Sequence, residues 1–312
     1  MAVETMTSPR SNLPNTYTNV TAREIDFVSR FSNNWDALRE IIGISRPIRK
    51  APGTQLVSYK ASVELAEGDG GNGMVSPGAV IPYSKWSLEK VDTEPINIMK
   101  FAKAVTIEEV NQYGAALAVQ KSDEAFLYQL QNMIMHGFYY SLGFMTSRIG
   151  SNTQYCSDFQ QCLAKAKGKL IDNYNKLGKT LTEVVAFANV MDFYDYLGNA
   201  NIETQTEFGL TYIKNFMGYS RIFLLSDPDI AKGDVIAVPV ENINLYYIDP
   251  SDSEFAQLGL DYTVQGETNL IGFHANGNYS TAVGESFAII GMALWAELYE
   301  GVVKATTKPQ NT

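Results

Sequence analysis

Between Thr106 and about Gly143 the apolar positions fall at the period of one helix face. Ile107, Val110, Gly114 and Leu117 are separated by three or four residues. After the polar step Lys121-Ser122-Asp123-Glu124 a second stripe follows, made of Phe126, Leu130, Met133, Ile134 and Gly137. Thr106 and Glu109 form a capping box, in which hydroxyl and carboxylate each satisfy an otherwise orphaned backbone donor. A continuous helix of this length spans on the order of 55 Å, more than one compact domain needs, so it reads as a strut joining two regions. The alternative is two ordinary helices broken at Lys121 to Asp123.

The pattern changes on either side of this spine. Residues 1–20 are polar, with Pro9 and Pro14, and read as an arm that cannot order itself. Thr21 and Glu24 repeat the cap and open a short helix, AREIDFVSRF; a second runs from Trp35 to Ile42 and stops at Gly43. Gln55 to Leu65 and Lys85 to Met99 alternate partly, as two long strands. The tip between them holds Gly68, Asp69, Gly70, Gly71, Asn72, Gly73 and Met74 and has no core of its own. Because an isolated hairpin is marginal in water, such an arm needs a partner, and Lys85 and Trp86 on its second strand belong to the same contact region.

Beyond the spine, Ser151 to Lys179 is polar and Lys-rich. Thr180 and Glu183 make a third box, which predicts an amphipathic helix, LTEVVAFANVMDFYDYL, ending at Gly198. Strands are expected at Arg221 to Leu225, Asp234 to Val240, Asn244 to Ile248 and Leu260 to Val264. Turns fall at Asp227-Pro228, Lys232-Gly233, Asp249-Pro250 and Gly272 to Gly277, and Pro239 suggests an edge strand or a bulge. Ser286 to Val303 is apolar and ambiguous between helix and strand.

Composition narrows the function classes. The chain has 312 residues, 45% of them hydrophobic and 19% charged, which is ordinary for a folded protein. With 24 basic and 34 acidic residues its formal charge is −10. That argues against tight, sequence-specific binding of nucleic acid, although an acidic lining suits a container that must not stick to it. Eighteen tyrosines fit extensive subunit contacts as well as a core. Cys156 and Cys162 imply no disulfide framework. No run is long and apolar enough for a membrane span, and the polar start lacks a signal peptide's apolar segment, so a soluble protein made in the cytoplasm is expected.

Candidate chemistry is sparse. Gly68 to Gly73 matches G-x-G-x-x-G, but two prolines follow where a phosphate-binding helix would have to start. Gly284-Glu285-Ser286-Phe287-Ala288 misses a nucleophile elbow by one residue, and His274 precedes the serine, against the hydrolase order. The two histidines, His136 and His274, and the two cysteines have no metal-ligand spacing, so neither metal nor cofactor is expected. His136 reads as a packed or interfacial imidazole. Asp192 with Asp195, and Glu203 with Glu207, stand at helical spacing, where a solvated face and a glycosidase pair look alike.

The order of an N-terminal arm, a long extended loop, a spine helix and a mixed strand-rich domain resembles the major capsid protein of tailed bacteriophages, the Hong Kong 97 fold that encapsulins also use. The resemblance covers essentially the whole chain and implies an α+β fold. Residues 1–50 would be arm and short helices, 51–100 the extended loop (E-loop), 101–179 the spine helix and peripheral (P) domain, 180–280 the A-domain, and 281–312 a return to the P-domain. In it Thr106, Glu109, Leu117, Phe126, Leu130 and Ile134 build the spine, and MALWAELYEGVVKAT is the closing P-domain strand. It further implies identical subunits in pentamers and hexamers of an icosahedral shell, assembled in the bacterial host cytoplasm and filled with double-stranded DNA. Its partners would be a separate scaffolding protein, a portal and a decoration protein, with no membrane and no catalysis. Lys85 and Lys90 are placed where some relatives cross-link, but no partner Asn is marked. An encapsulin-like compartment, a tail or adhesin subunit, and a carbohydrate-active enzyme using paired carboxylates are the alternatives.

Overall fold

The computed structural model describes residues 22–68, 73–148, 152–198, 204–207, 210–227, 229–264 and 269–307. Its first half comprises α1 (Ala22–Ile42), β1 (Ile48–Arg49), β2 (Gln55–Glu64), β3 (Lys85–Pro95), β4 (Ile98–Thr106), α2 (Ile107–Tyr113) and α3 (Ala115–Arg148). Then come β5 (Thr153–Tyr155), α4 (Phe159–Lys176), β6 (Val184–Asn189), α5 (Val190–Leu197), β7 (Gln205–Glu207), β8 (Leu210–Phe216) and β9 (Tyr219–Leu225). The chain closes with β10 (Asp234–Pro239), β11 (Ile243–Ile248), β12 (Ile271–Asn278), β13 (Val283–Ala296) and β14 (Val303–Thr306). Three sheets result among the described residues, and the fold is α+β. One has five strands ordered β1-β11-β13-β12 with β4 also on β13; one has seven, ordered β5-β14-β10-β6-β9-β8-β7; the third is the β2–β3 hairpin alone.

The two large sheets share one core. Along β6, Val185 and Phe187 face the cluster built from α1, α3 and the five-stranded sheet, whereas Val184, Ala186 and Ala188 face a second cluster under α4. Strand β10 divides the same way, with Ile236 and Val238 on one side and Val235 and Ala237 on the other. A strand covered on both faces reads as a continuous apolar run. That is why VVAFAN forms β6 rather than the start of the helix expected from Thr180; the helix starts only at Val190, with Asn189 as its cap.

Other expectations change for similar tertiary reasons. The two short N-terminal helices are one, because Phe27, Val28, Phe31, Trp35, Leu38 and Ile42 form a single buried face across the polar Ser32-Asn33-Asn34. Gly43 ends that helix with φ +78°. The spine breaks at Gly114, at φ +81°, rather than at Lys121 to Asp123. The 34 residues of α3 then span about 51 Å. The polar step stays helical because Asp123 is buried between Arg23 and Lys103.

Residues 159–176, in the stretch noted only as polar and Lys-rich, form α4, with Phe159, Leu163, Ala166, Leu170 and Tyr174 buried beneath its lysines. This helix and β5 lie on the seven-stranded sheet, not with the spine. Cys156 and Cys162 are joined in a disulfide, Cα–Cα 5.3 Å, because the turn capped by Asp158 folds the chain back between them. Lys85 to Met99 is not one strand, since β3 ends at Pro95 and β4 starts at Ile98. Leu260 to Val264 contributes only a bridge from Thr263 to Phe273.

Gly272 to Gly277 is a strand, not a turn. A Cβ on Gly272 would lie 2.8 Å from Ile289, Pro250 and Tyr262, so the glycine there serves packing. Pro239 ends β10, an interior strand rather than an edge. The C-terminal MALWAELYEGVVKAT splits between sheets: β13 lies at the centre of the five-stranded one, and β14 closes the seven-stranded one between β5 and β10.

Candidate functional site

Among the described residues, the hairpin β2–β3 is tied to the body only at its base. Leu56 and Ile96 are buried there, Ser58 Oγ donates to Ala296 O (2.8 Å), and the Tyr59 amide donates to Glu297 O (3.1 Å). A register shift between Ser58 and Tyr59 moves the partner from Asp92 to Lys90, the extra residue of a β-bulge, which bends and twists the strands. Beyond it every residue from Ser62 to Leu65 and from Ile81 to Lys90 is exposed.

Past the bulge the two faces differ. Since side chains alternate, one face carries Lys60 opposite Glu89, Ser62 opposite Ser87 with their hydroxyls 2.6 Å apart, and Glu64 opposite Lys85. The other, largely apolar, carries Tyr59 opposite Lys90, Val63 opposite Trp86, Leu65 and Leu88, with Trp86 65% exposed. The loop beyond adds Met74, Val80, Ile81 and Tyr83, the last 95% exposed. At the loop's root the Ala66 amide donates to Ser84 Oγ (3.1 Å). A Cβ on Gly68 would lie 1.9 Å from Met74 O, so only glycine fits that crossing.

Of the residues singled out in the sequence, Lys85 and Trp86 lie on opposite faces of the hairpin, and Gly68, Gly73 and Met74 lie in the loop. Asp69, Gly70, Gly71 and Asn72 fall outside the described residues, as do the arm, Pro228 and Glu203. The capping box is present: the Glu109 amide donates to Thr106 Oγ1 (3.3 Å) and the Thr106 amide to Glu109 Oε2 (2.9 Å). Leu130 and Ile134 are core, Phe126 is half-buried, and Ile107, Leu117 and Met133 are exposed, so the first stripe of the spine faces outward.

Sequence reasoning missed the polar junction that fixes α1 to the sheet. Arg23 clasps Asp123 through Nε (2.7 Å) and Nη2 (2.8 Å), and Nη2 also donates to Ser286 Oγ (2.9 Å). Lys103 joins from the other side, pairing with Asp123 and donating to Ser122 Oγ (2.7 Å). Burial acts to raise the pKa of Asp123, but hydrogen bonds from Arg23 and Lys103 outweigh it and hold the carboxyl below its ordinary range. Next to it, buried Glu24 accepts from the Ala275 amide (2.6 Å) and Thr263 Oγ1 (3.2 Å), with His274 Nδ1 at 3.6 Å. The signal was an acid at the centre of the polar step, whose partners lie 100 residues away and 20 residues back in sequence.

The candidate catalytic groups have other occupations. Ser286 lies inside β13, opposite Ala275 and Lys103, and accepts from Arg23, so no elbow forms. Asp192 accepts from the Gly233 amide (2.5 Å) and Asp195 from Lys232 Nζ (2.7 Å). Burial raises the pKa of Asp192. Glu207 accepts from Tyr212 OH (3.1 Å), and His136 pairs with Asp229 on the surface of α3. After Gly73 comes a turn and extended chain, with no helix to hold a phosphate. Among the described residues no group of three His, Cys, Asp or Glu is placed to hold a metal, and no helix is long and apolar enough to cross a membrane.

No protein-family model matches the chain, and no curated sequence matches it either. Solved structures do. A capsid subunit of cyanophage A-1(L) superposes with a TM-score of 0.55 at 9% identity, covering 96% of this chain and 99% of that one. The SrpI encapsulin of Synechococcus elongatus gives 0.51 at 10% identity, covering 97% and 96%. The chain has the Hong Kong 97-like fold of these capsid and encapsulin subunits.

Proposed function

We propose that the chain is the structural subunit of a self-assembling icosahedral shell, the head of a tailed bacteriophage that encloses double-stranded DNA. The observation that carries this reading is the hairpin with one polar and one apolar face, the apolar one uncovered. An exposed apolar face flanked by two open strand edges favours association. A second copy of the chain is the partner present at every moment of synthesis. In this reading β2, β3 and their loop are the E-loop, β4, α3 and β13 form the peripheral region, and the seven-stranded sheet is the A-domain. Each contact is modest, and closure into pentamers and hexamers multiplies them.

The acidic charge of −10 suits a wall that encloses DNA without gripping it. Scaffold, portal and decoration proteins are the further partners proposed, the virion is the location, and the subunit has no catalytic role of its own. The likeness to an encapsulin over almost the whole chain favours a second reading, a compartment loaded with protein cargo. Electron microscopy of the purified protein, alone and co-expressed with scaffold, tests both. Uniform closed particles are expected, and their contents, DNA or enzyme, separate the readings. Small discrete oligomers under every condition would overturn the shell.

A further inference from the structure

Cys156 and Cys162, the two cysteines of the chain, meet across the turn between β5 and α4, with Cα atoms 5.3 Å apart. We propose that they form a thiol–disulfide exchange site. The pair is a dithiol while the chain is made and folded, and becomes a disulfide on reaction with a low-molecular-weight disulfide of the glutathione class. The timing rests on the shell reading, in which the chain is made in a bacterial cytoplasm, where thiols are kept reduced, and the finished particle leaves it. The chemistry stands apart from that reading.

The turn holds the two sulfurs together with or without the bond between them. Asp158 caps α4 by accepting from the Gln161 amide (2.8 Å), and Gln161 Oε1 accepts in return from the Ser157 amide (2.8 Å). On the β5 side the Cys156 amide donates to Thr306 O (3.0 Å), which continues the ladder with β14. Buried Asn152 fastens the start of the segment, donating to Tyr299 O (3.2 Å) and Val302 O (3.1 Å). None of these contacts needs the S–S bond. Cys156 Sγ also lies 3.2 Å from Thr306 O, so the reduced thiol has an acceptor in place.

The two cysteines are unequally placed. Cys162 is fully buried beneath α4, whereas Cys156 is half-buried, so reaction enters at Cys156. Its thiolate attacks the small disulfide RSSR, forming a mixed disulfide and releasing one RSH. Cys162 then attacks Cys156 Sγ and releases the second RSH. Two hydrogens pass in all from the protein thiols to RSSR, and one S–S bond replaces another. The second step is intramolecular between groups already in position, so closure outruns a lasting mixed disulfide. The product staples β5, the edge strand of the seven-stranded sheet, to the first turn of α4. With a sequence separation of 6 between the cysteines, the constraint on the unfolded chain raises the melting temperature by about 3–5 °C.

Trapping the thiols tests the site. Cells making the chain are lysed into denaturant with excess N-ethylmaleimide, and the intact mass is read. Two labels are expected; a chain without label would mean that the bond forms during synthesis, and would overturn the proposal. Purified protein kept reduced is then treated with glutathione disulfide. Its mass should fall by two hydrogens and its melting temperature rise by about 3–5 °C. Thiols that stay free, a glutathione adduct that persists, or an unmoved melting temperature would each overturn it. Cys156→Ser should fold and show no thermal response to glutathione disulfide, and a response equal to that of the wild type would overturn the assignment. Should that variant fail to fold, the wild-type masses decide alone. Both readouts work on free subunits as well as on particles, so a chain that never forms particles removes the shell reading and leaves the exchange to be judged by its masses.

Discussion

Strands β6 and β10, almost wholly apolar, and strands β2 and β3, in which charged and polar residues are interleaved with apolar ones, meet opposite fates. Every residue of β6 and β10 is buried, one set of side chains against α3 and the other against α4. Beyond Tyr59, every residue of the hairpin strands with a described side chain is exposed until the strands return to the base. The difference lies in what the rest of the chain supplies as cover. The body covers its own sheets, whereas the apolar side chains of the hairpin have no cover among the described residues; in the proposed shell that is where subunits associate. In that reading stability and assembly are separable by mutation.

The strongest way to break the comparison is to remove residues 62–87 and join the strands by a tight turn. Closed particles should be lost entirely in electron micrographs, with the melting temperature of the subunit nearly unchanged. Phe187→Ala does the reverse. Its ring stacks on Phe223 at 5.3 Å and meets Phe138 edge-on at 5.6 Å. Truncation should cost about 3–5 kcal/mol in denaturant unfolding.

Asp123→Asn should cost about 3 kcal/mol, since it leaves Arg23 and Lys103 without their carboxylate. A pH titration sharpens that result. With the folded pKa of Asp123 depressed, its contribution is complete above the unfolded value of about 4 and is lost as pH falls through the lower folded value. The acid-side decline in stability should therefore be shallower in the variant. Smallest is Trp86→Ala, within about 0.5 kcal/mol of wild type for the isolated subunit, with its effect confined to particle yield.

What was legible in the sequence was local. The Thr106–Glu109 box and the Gly43 stop depend on residues within one helical turn, and both are present. The exposed Gly-rich loop needed only composition. Misreadings arose where distant residues decide. Thr180 and Glu183 imitate a cap, yet the apolar run after them is taken by the neighbouring strands β9 and β10. Asp123 looks like a break until Arg23 and Lys103 arrive, and Gly272 looks like a turn until Ile289 packs on it. Helix α4 was within reach: Phe159, Leu163, Ala166, Leu170 and Tyr174 keep helical spacing beneath its lysines. The apolar character of the hairpin face followed only from register, which places Val63 against Trp86.

Both large sheets are closed by the end of the chain. Strand β13 sits between β4 and β12 and also carries β11, and β14 sits between β5 and β10. Neither sheet can be completed until β13 and β14 have been synthesised. A chain synthesised only as far as β12 thus carries both strands of its hairpin but lacks the strand on which β4, β11 and β12 pair. In the proposed shell, the surface that associates is therefore made before the sheets that have to carry it.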